Sequence, residues 1–582
     1  MRVNHSNFPA YMVIAGYSLL AHGLLLLYDG VYSDGWLFYT YLSESRWDLL
    51  ADFFVKQGHP HTAYLYRLLA LLPDFLLAHR LLAFGSLLAT GWLTYGLLCK
   101  LGWFTRGESL LVALWSVGFP AYQYGVEISH LWNLLPYPVF LLGWWLALGL
   151  NSIRKNKERN GVKEGVLPGV VLLTTRHFWL RLGALVCLAF SFMNPALLPF
   201  YFGFWLVWIG CFYYQRAIHP WQMVRRYPDF LLLPFVYWLG MRLLFPPHGI
   251  FADYNEIEPT LLLEWGGWWQ FVEVGMLAQL IRPFILMPFF LLLLVAGLYL
   301  WLNRWRNWEK RPFFYQEWPG RETAVLGIAL LLLFLSAFPF IIVGKPPSLY
   351  GFDTRQLLLM GLPMALLLLV GLRLLFGSEQ GRLHRVGGLL ALLLLLGFAL
   401  AQMESYLAWQ ARWVRDQSVR LNLADLPLAD EQAILYFADE DMLYWRNGRI
   451  DEVSQFISRR YFQDWTILLR QVYGPMPGRV GMDIRYLDPT HYYYHWLMGL
   501  RERTLTPTED IFFLASVDPA GCQAIITIQP TAYAQEMSKL GLARRYWQNR
   551  FWQPVAQEPF LRSLTHLSLE PMAAPQAVNC HS

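Results

Sequence analysis

The sequence predicts a polytopic α-helical membrane protein of about eleven transmembrane helices, followed by a small C-terminal extracytoplasmic α/β lobe. Three observations carry this expectation. The 582 residues are 56% hydrophobic and 17% aromatic but only 15% charged, with a mean hydropathy of +0.32, more apolar surface than one water-soluble core can hide. Apolar runs of about 18 or more residues recur along the chain, each long enough to cross a bilayer as a helix. This character stops near residue 404, after which polar and Pro/Gly-containing segments alternate with short apolar ones.

Spans are expected near residues 9–28, 80–100, 108–126, 131–150, 176–193, 196–214, 228–245, 276–302, 323–343, 357–376 and 386–404. The N-terminal MRVNHSNFPAYMVIAGYSLLAHGLLLLY has one early Arg and no small-residue cleavage site, so it reads as a retained first span. TAYLYRLLALLPDFLLAH at 62–79 is almost long enough, but Arg67, Pro73 and Asp74 argue for a short helix lying at the interface or re-entering.

Loop charge sets the orientation. With the N-terminus inside, the inner loops hold Arg106, IRKNKERNGVKEG at 153–165, Arg216, Arg225, Arg226, NRWRNWEKR at 303–311, Arg382 and Arg385. The outer loops carry Asp29, Asp34, Asp48, Asp52, Asp253, Glu256, Glu258 and Glu264. This positive-inside asymmetry predicts a multi-pass protein of the plasma (inner) membrane with a cytoplasmic N-terminus and an outer tail. The net charge of +5 is then a topology signal, and no nucleic-acid partner is needed to explain it.

The expected division is a transmembrane domain at 1–404 and an extracytoplasmic domain at 405–582. The tail opens with a helical ESYLAWQARWVRDQSVRLN and contains two strand candidates, AILYF at 433–437 and QAIITI at 523–528. Cys99, Cys187, Cys211, Cys522 and Cys580 show no metal-ligand spacing. No Walker, Rossmann, zinc-finger or nucleophile-elbow pattern appears.

Candidate chemistry gathers in the loops. The first outer loop, 29–61, is far longer than a turn requires. On a helical wheel Trp36, Tyr39, Leu42, Trp47, Leu50 and Phe54 share one face, while Ser45, Asp48, Asp52 and Lys56 share the other, the pattern of an interfacial helix. Asp34 stands just before it, at an N-cap position beside Gly35; the cap role and a functional role both remain open. Glu127 and His130, three apart on a helical turn, are a second acid or ligands of an incomplete divalent-metal site. No other cofactor is indicated. VGKPPSLYGFDTRQLLL at 343–359 brings Lys345 and Arg355 to the acidic side of the membrane, as phosphate ligands or with Arg355 paired to Asp353 or Glu127. His59, His61 and Arg67 line a substrate cavity or anchor the short helix at headgroup level, and Arg282 is a weaker candidate of the same kind.

One span, an acidic first loop with SDGW, an interfacial helix, GHPHTAYLYRLLALL, a second span ending in LLCKLGWFTRGESLLVALW, and FPAYQYGVEISHLWN together resemble the GT-C superfamily of polyprenyl-phosphate-sugar-dependent, mannosyltransferase-like glycosyltransferases. The resemblance covers about residues 9–150 and the general layout. It implies a lipid-linked sugar donor, a glycan, lipid or protein acceptor on the outer face, and a first-loop catalytic base at Asp34, with Asp29 second. Family members often carry two adjacent acids where this chain has Asp34 and Gly35. The alternative is a non-enzymatic carrier or envelope assembly protein on the same scaffold. A carrier is expected to hold charge near the bilayer midplane, whereas the charge here sits at the outer surface.

Overall fold

The computed structural model describes residues 8–32, 34–159, 175–216, 220–252, 255–286, 321–349, 351–376, 381–426, 434–439, 479–481, 522–537 and 539–571. Among these, six helices are long and apolar enough to cross a bilayer: Phe8–Leu27, Phe75–Leu101, Ile128–Leu150, Glu322–Ile341, Asp353–Phe376 and Val386–Leu423. The chain is a polytopic helical membrane protein.

The first part of the chain runs α1 (Phe8–His22), α2 (Asp34–Ser43), α3 (Trp47–Lys56), α4 (His61–Ala70), α5 (Phe75–Leu101), α6 (Arg106–Gly118), α7 (Leu131–Leu134) and α8 (Pro136–Arg159). It continues through α9 (Thr175–Ser191), α10 (Leu197–Arg216), α11 (Pro220–Arg226), α12 (Pro228–Leu244), α13 (Trp265–Gln270) and α14 (Gln279–Leu286). After α15 (Arg321–Ile341), α16 (Gly361–Phe376) and α17 (Gly381–Leu423) come β1 (Ile434–Asp439), β2 (Arg479–Gly481), β3 (Cys522–Pro530), α18 (Ala532–Glu536), α19 (Lys539–Trp552), α20 (Gln557–Arg562) and β4 (Thr565–Pro571).

Three segments differ from expectation for identifiable reasons. The helix expected over 108–126 stops at Gly118, because Phe119 precedes Pro120 and is extended, at φ −53° and ψ 129°; its 13 residues reach only about 20 Å. The interfacial helix of the first loop is two helices. Ser45, at φ 56°, closes α2 with a Schellman pair, Arg46 N–H to Tyr41 O at 2.8 Å and Ser45 N–H to Leu42 O at 3.4 Å. The amphipathic pattern survives the break, with Trp36, Leu42, Leu50 and Phe54 buried and Asp48 and Asp52 exposed. The span expected at 386–404 and the helix after it are one 43-residue element, α17, since neither Gly nor Pro interrupts the chain between Gly397 and Pro427. The second half of the span expected at 276–302 lies outside the described residues.

The segment at 62–79 divides into α4 and the start of α5. Asp74 caps α5 by accepting the Leu77 N–H at 2.9 Å.

The chain forms two compact units, one of 1–27, 51–125 and 130–403, the other of 28–50, 126–129 and 404–582. In the first, Ile14, Tyr95, Ala113 and Leu114 form a buried cluster. Gly91 lets α1, α5 and α6 meet there, since a Cβ at that position would stand 2.7 Å from Ile14 Cγ2 and 3.0 Å from Val117 Cγ2. α6 is tied to α16 by charge. One Glu108 oxygen accepts the Thr105 N–H of a capping box at 2.8 Å, and the other takes Arg373 Nε at 2.8 Å and Nη2 at 2.5 Å.

The second unit packs the first-loop residues against the end of α17. The Tyr32 hydroxyl donates to Trp409 O at 2.9 Å, and the Trp36 and Trp413 rings lie 5.8 Å apart. Its sheet has the order β2-β1-β3-β4. β1 is parallel to both neighbours, and β4 returns antiparallel to β3. The Ser418 and Thr565 hydroxyls meet at 2.7 Å, and Asn422 Nδ2 donates to Thr565 O at 2.6 Å, docking β4 on α17.

Arg373→Met takes the arginine away from the buried Glu108 carboxylate, and is expected to cost about 3–5 kcal/mol. Adding Glu108→Gln is expected to recover much of that loss in thermal unfolding of the detergent-solubilised protein; simple addition of the two losses would contradict the ion-pair account.

Candidate functional site

The sequence-level candidates fall into both units. In the second, Asp29 Oδ2 accepts the Tyr546 hydroxyl at 2.6 Å and pairs with Arg550. Trp413 Nε1 donates to the same hydroxyl at 3.3 Å. Burial, then the charge of Asp29, raises the Tyr546 pKa, so the phenol stays a donor. A carboxylate held this way is a clamp between the first loop and α19.

Asp34 is the first residue of α2 rather than the residue before it, and its carboxylate lies outside the described residues. Gly35 is explained by its neighbour: a Cβ there would fall 2.0 Å from Glu127 Oε1 and 3.0 Å from Ile128 Cγ2. Glu127 is buried at 1% exposure, and Ser129 Oγ donates to its Oε1 at 3.2 Å. The Glu127 carboxylate therefore lies against the first turn of α2, where the helix dipole favours an anion.

In the first unit, Arg355 lies on the 3₁₀ turn Phe352–Met360. Its Nη1 is 3.4 Å from His130 Nε2 and its Nη2 is 3.9 Å from Asp353 Oδ1. For Arg355 to donate, Nε2 must carry the lone pair, which puts any ring proton on Nδ1. Lys345 is buried and donates to Asn255 Oδ1. Both cations are held inward by neighbours.

The His59 ring is 5.7 Å from Trp132 and 6.1 Å from His61, and His61 Nε2 is 3.2 Å from the Tyr237 hydroxyl. Burial lowers the His59 pKa to about 4, with the charges of His61 and Arg242 adding to the effect. Burial also lowers that of His61. Near neutral pH these imidazoles offer hydrogen bonds rather than charge. Arg67 is exposed on α4, and Arg282 is buried on α14.

Among the described residues no group of three or more His, Cys, Asp or Glu could hold a metal ion. The sequence reading missed Tyr546 and Arg550 as partners of Asp29, Asn255 as the partner of Lys345, and Trp132, Tyr237 and Arg242 around the two histidines. The basic and aromatic run RRYWQNRFW of α19 was the available signal for the first pair.

No protein-family model, curated protein or solved structure matches the chain.

The His59 shift has a definite sign. Its folded pKa of about 4 lies below the unfolded value of about 6.5, so the unfolded chain binds the proton first as pH falls. Stability from this group is complete above about pH 6.5 and lost progressively toward pH 4. His59→Gln is expected to flatten that part of the profile in thermal melts taken across this range; an unchanged slope would remove His59 as its source.

Proposed function

We propose that the chain is an integral-membrane glycosyltransferase of GT-C type with about eleven spans. In this reading it moves a sugar from a polyprenyl-phosphate donor to a glycan, lipid or protein acceptor on the outer face of the plasma membrane. The observation that carries it is the approach of Glu127 to Gly35, the residue after Asp34. Where the resemblance leads one to expect adjacent acids, the second carboxylate comes from residue 127, and Gly35 makes room for it.

The reaction needs a base and a stabilised leaving group. Asp34 takes the proton of the acceptor hydroxyl as that oxygen bonds to the anomeric carbon. The bond from that carbon to the phosphate oxygen breaks, and its electron pair leaves on the polyprenyl phosphate. Glu127, set against the start of α2, holds the acceptor hydroxyl. The sequence-level expectation assigns phosphate recognition to Lys345 and Arg355, and the lining of a substrate cavity to His59, His61 and Arg67.

Asp34→Asn keeps the size and polarity of the side chain at the first position of α2, but it cannot act as a base. The variant is expected to insert normally, still bind a polyprenyl-phosphate sugar, and lose turnover by about 100-fold or more. Arg355→Lys is expected to weaken donor use, while Asp29→Asn is expected to weaken the hold of α19 on the first loop. Full transfer activity in both Asp34→Asn and Glu127→Gln would overturn the assignment and favour a non-enzymatic carrier.

The same reading places the N-terminus in the cytoplasm and residues 405–582 outside. Reporter fusions after residues 160 and 420 are expected on opposite faces of the membrane; both on one face would overturn this topology.

A further inference from the structure

Five helices of the first unit, α5, α8, α10, α15 and α16, leave an apolar slot between them. Its rim is formed by Leu101 at the end of α5, Trp103 and Phe104 in the following turn, and Leu148 of α8, all half-buried. Its floor is Leu141, Leu332, Leu362 and Leu366, all buried. Rim and floor are seven residues apart on α8, from Leu148 to Leu141, and on α15, from Val325 to Leu332, which is about 10 Å of helix. α10 and α15 close the floor at Gly203, where a Cβ would stand 2.6 Å from Leu332 Cδ2. Along one wall the Trp144 ring lies 6.0 Å from Phe204 and 5.9 Å from Trp208. Rings interlocked in this way resist the collapse that would otherwise shut an apolar void. No polar atom of the described residues faces the slot.

The helices that make the slot also set its depth in the membrane. The rim lies at the ends of the spans Phe75–Leu101 and Ile128–Leu150 and the start of Glu322–Ile341, and Leu362 and Leu366 lie in the middle third of Asp353–Phe376. Arg373, near the end of α16, is 5.9 Å from the centre of the Phe104 ring, so the rim stands at the opposite end of that span from Arg355. Left empty, the slot would cost about 24 cal/mol per Å³, and water finds no hydrogen-bond partner on its walls. Hydrocarbon, which surrounds these spans, fills it without that cost. A depth of about 10 Å is within the roughly 15 Å of hydrocarbon in one leaflet, so a chain whose headgroup stays at the surface reaches the floor. Arg106, exposed two residues after Phe104, puts a cation within about 7 Å of the rim, on the level of such a lipid's phosphate.

We propose that the slot is a phospholipid site: one acyl chain of a membrane phospholipid enters past Leu101 and Ile328 and ends on Leu332 and Leu366, with its headgroup outside the rim. Opening at the far end of the span from Arg355, it is separate from the place of the sugar donor and is filled whichever reaction the chain performs.

The full chain in vesicles of a phospholipid that carries a diazirine on one acyl chain tests it. Irradiation and peptide mapping are expected to find adducts on Leu141, Leu332 or Leu366, which are buried from bulk lipid, as well as on the exposed Leu206 and Leu330. Ile328→Trp is expected to cut the deep adducts several-fold and leave those on Leu330 unchanged. Should that variant fail to accumulate, the wild-type map decides alone: adducts confined to exposed residues would overturn the proposal. Loss of the deep adducts on adding a polyprenyl phosphate would overturn the phospholipid as occupant, and unchanged deep adducts in Ile328→Trp would overturn entry past Ile328.

Discussion

A charge withdrawn from water must be met by another group, and much of this architecture follows from where those meetings occur. Glu108 divides its two oxygens between the start of its own helix and an arginine 265 residues away. The cap fixes where α6 begins, and the ion pair fixes which part of α16 lies beside it. Asp29 does the same for the second unit, fixing α19 by a phenol and a guanidinium. Apolar packing between helices in lipid is nearly indifferent to small slides and rotations, because lipid and side chains are equally oily. Paired charges are not indifferent, and so they set the register.

Much of the local structure was legible in the sequence. Uninterrupted apolar runs gave most of the long helices, and ILYF of the first strand candidate and QAIITI of the second lie in β1 and β3. These signals are local: hydropathy over a window, alternation over a few residues, and Pro or Gly at an end. The break at Ser45 was not legible, because Ser carries no strong preference for left-handed backbone and the apolar face continues through it. The stop of α6 at Gly118 was legible in principle, from Phe119-Pro120, but the apolar run masked it.

The partnerships were the least legible. Nothing near Asp29 points to Tyr546, and nothing near Gly35 announces that its missing side chain leaves room for Glu127. Residue types in a window cannot report a neighbour hundreds of positions away; only the packed helices bring them together. The sequence marked Asp29 and Glu127 as acids that need an explanation, and the structure gives each a different one: a clamp for Asp29, a helix N-terminus for Glu127.

The Asp29–Tyr546 contact joins residues 517 positions apart, and that interval is also a delay. At about 5–20 residues per second of synthesis, the first span and its acidic loop wait roughly half a minute to two minutes before α19 exists. Through that time Asp29 has water and lipid headgroups for company, and the second unit cannot close. Its assembly is therefore a late event, finished only when nearly the whole chain has been made, and any product cut short before residue 546 leaves the membrane-edge carboxylate without its clamp.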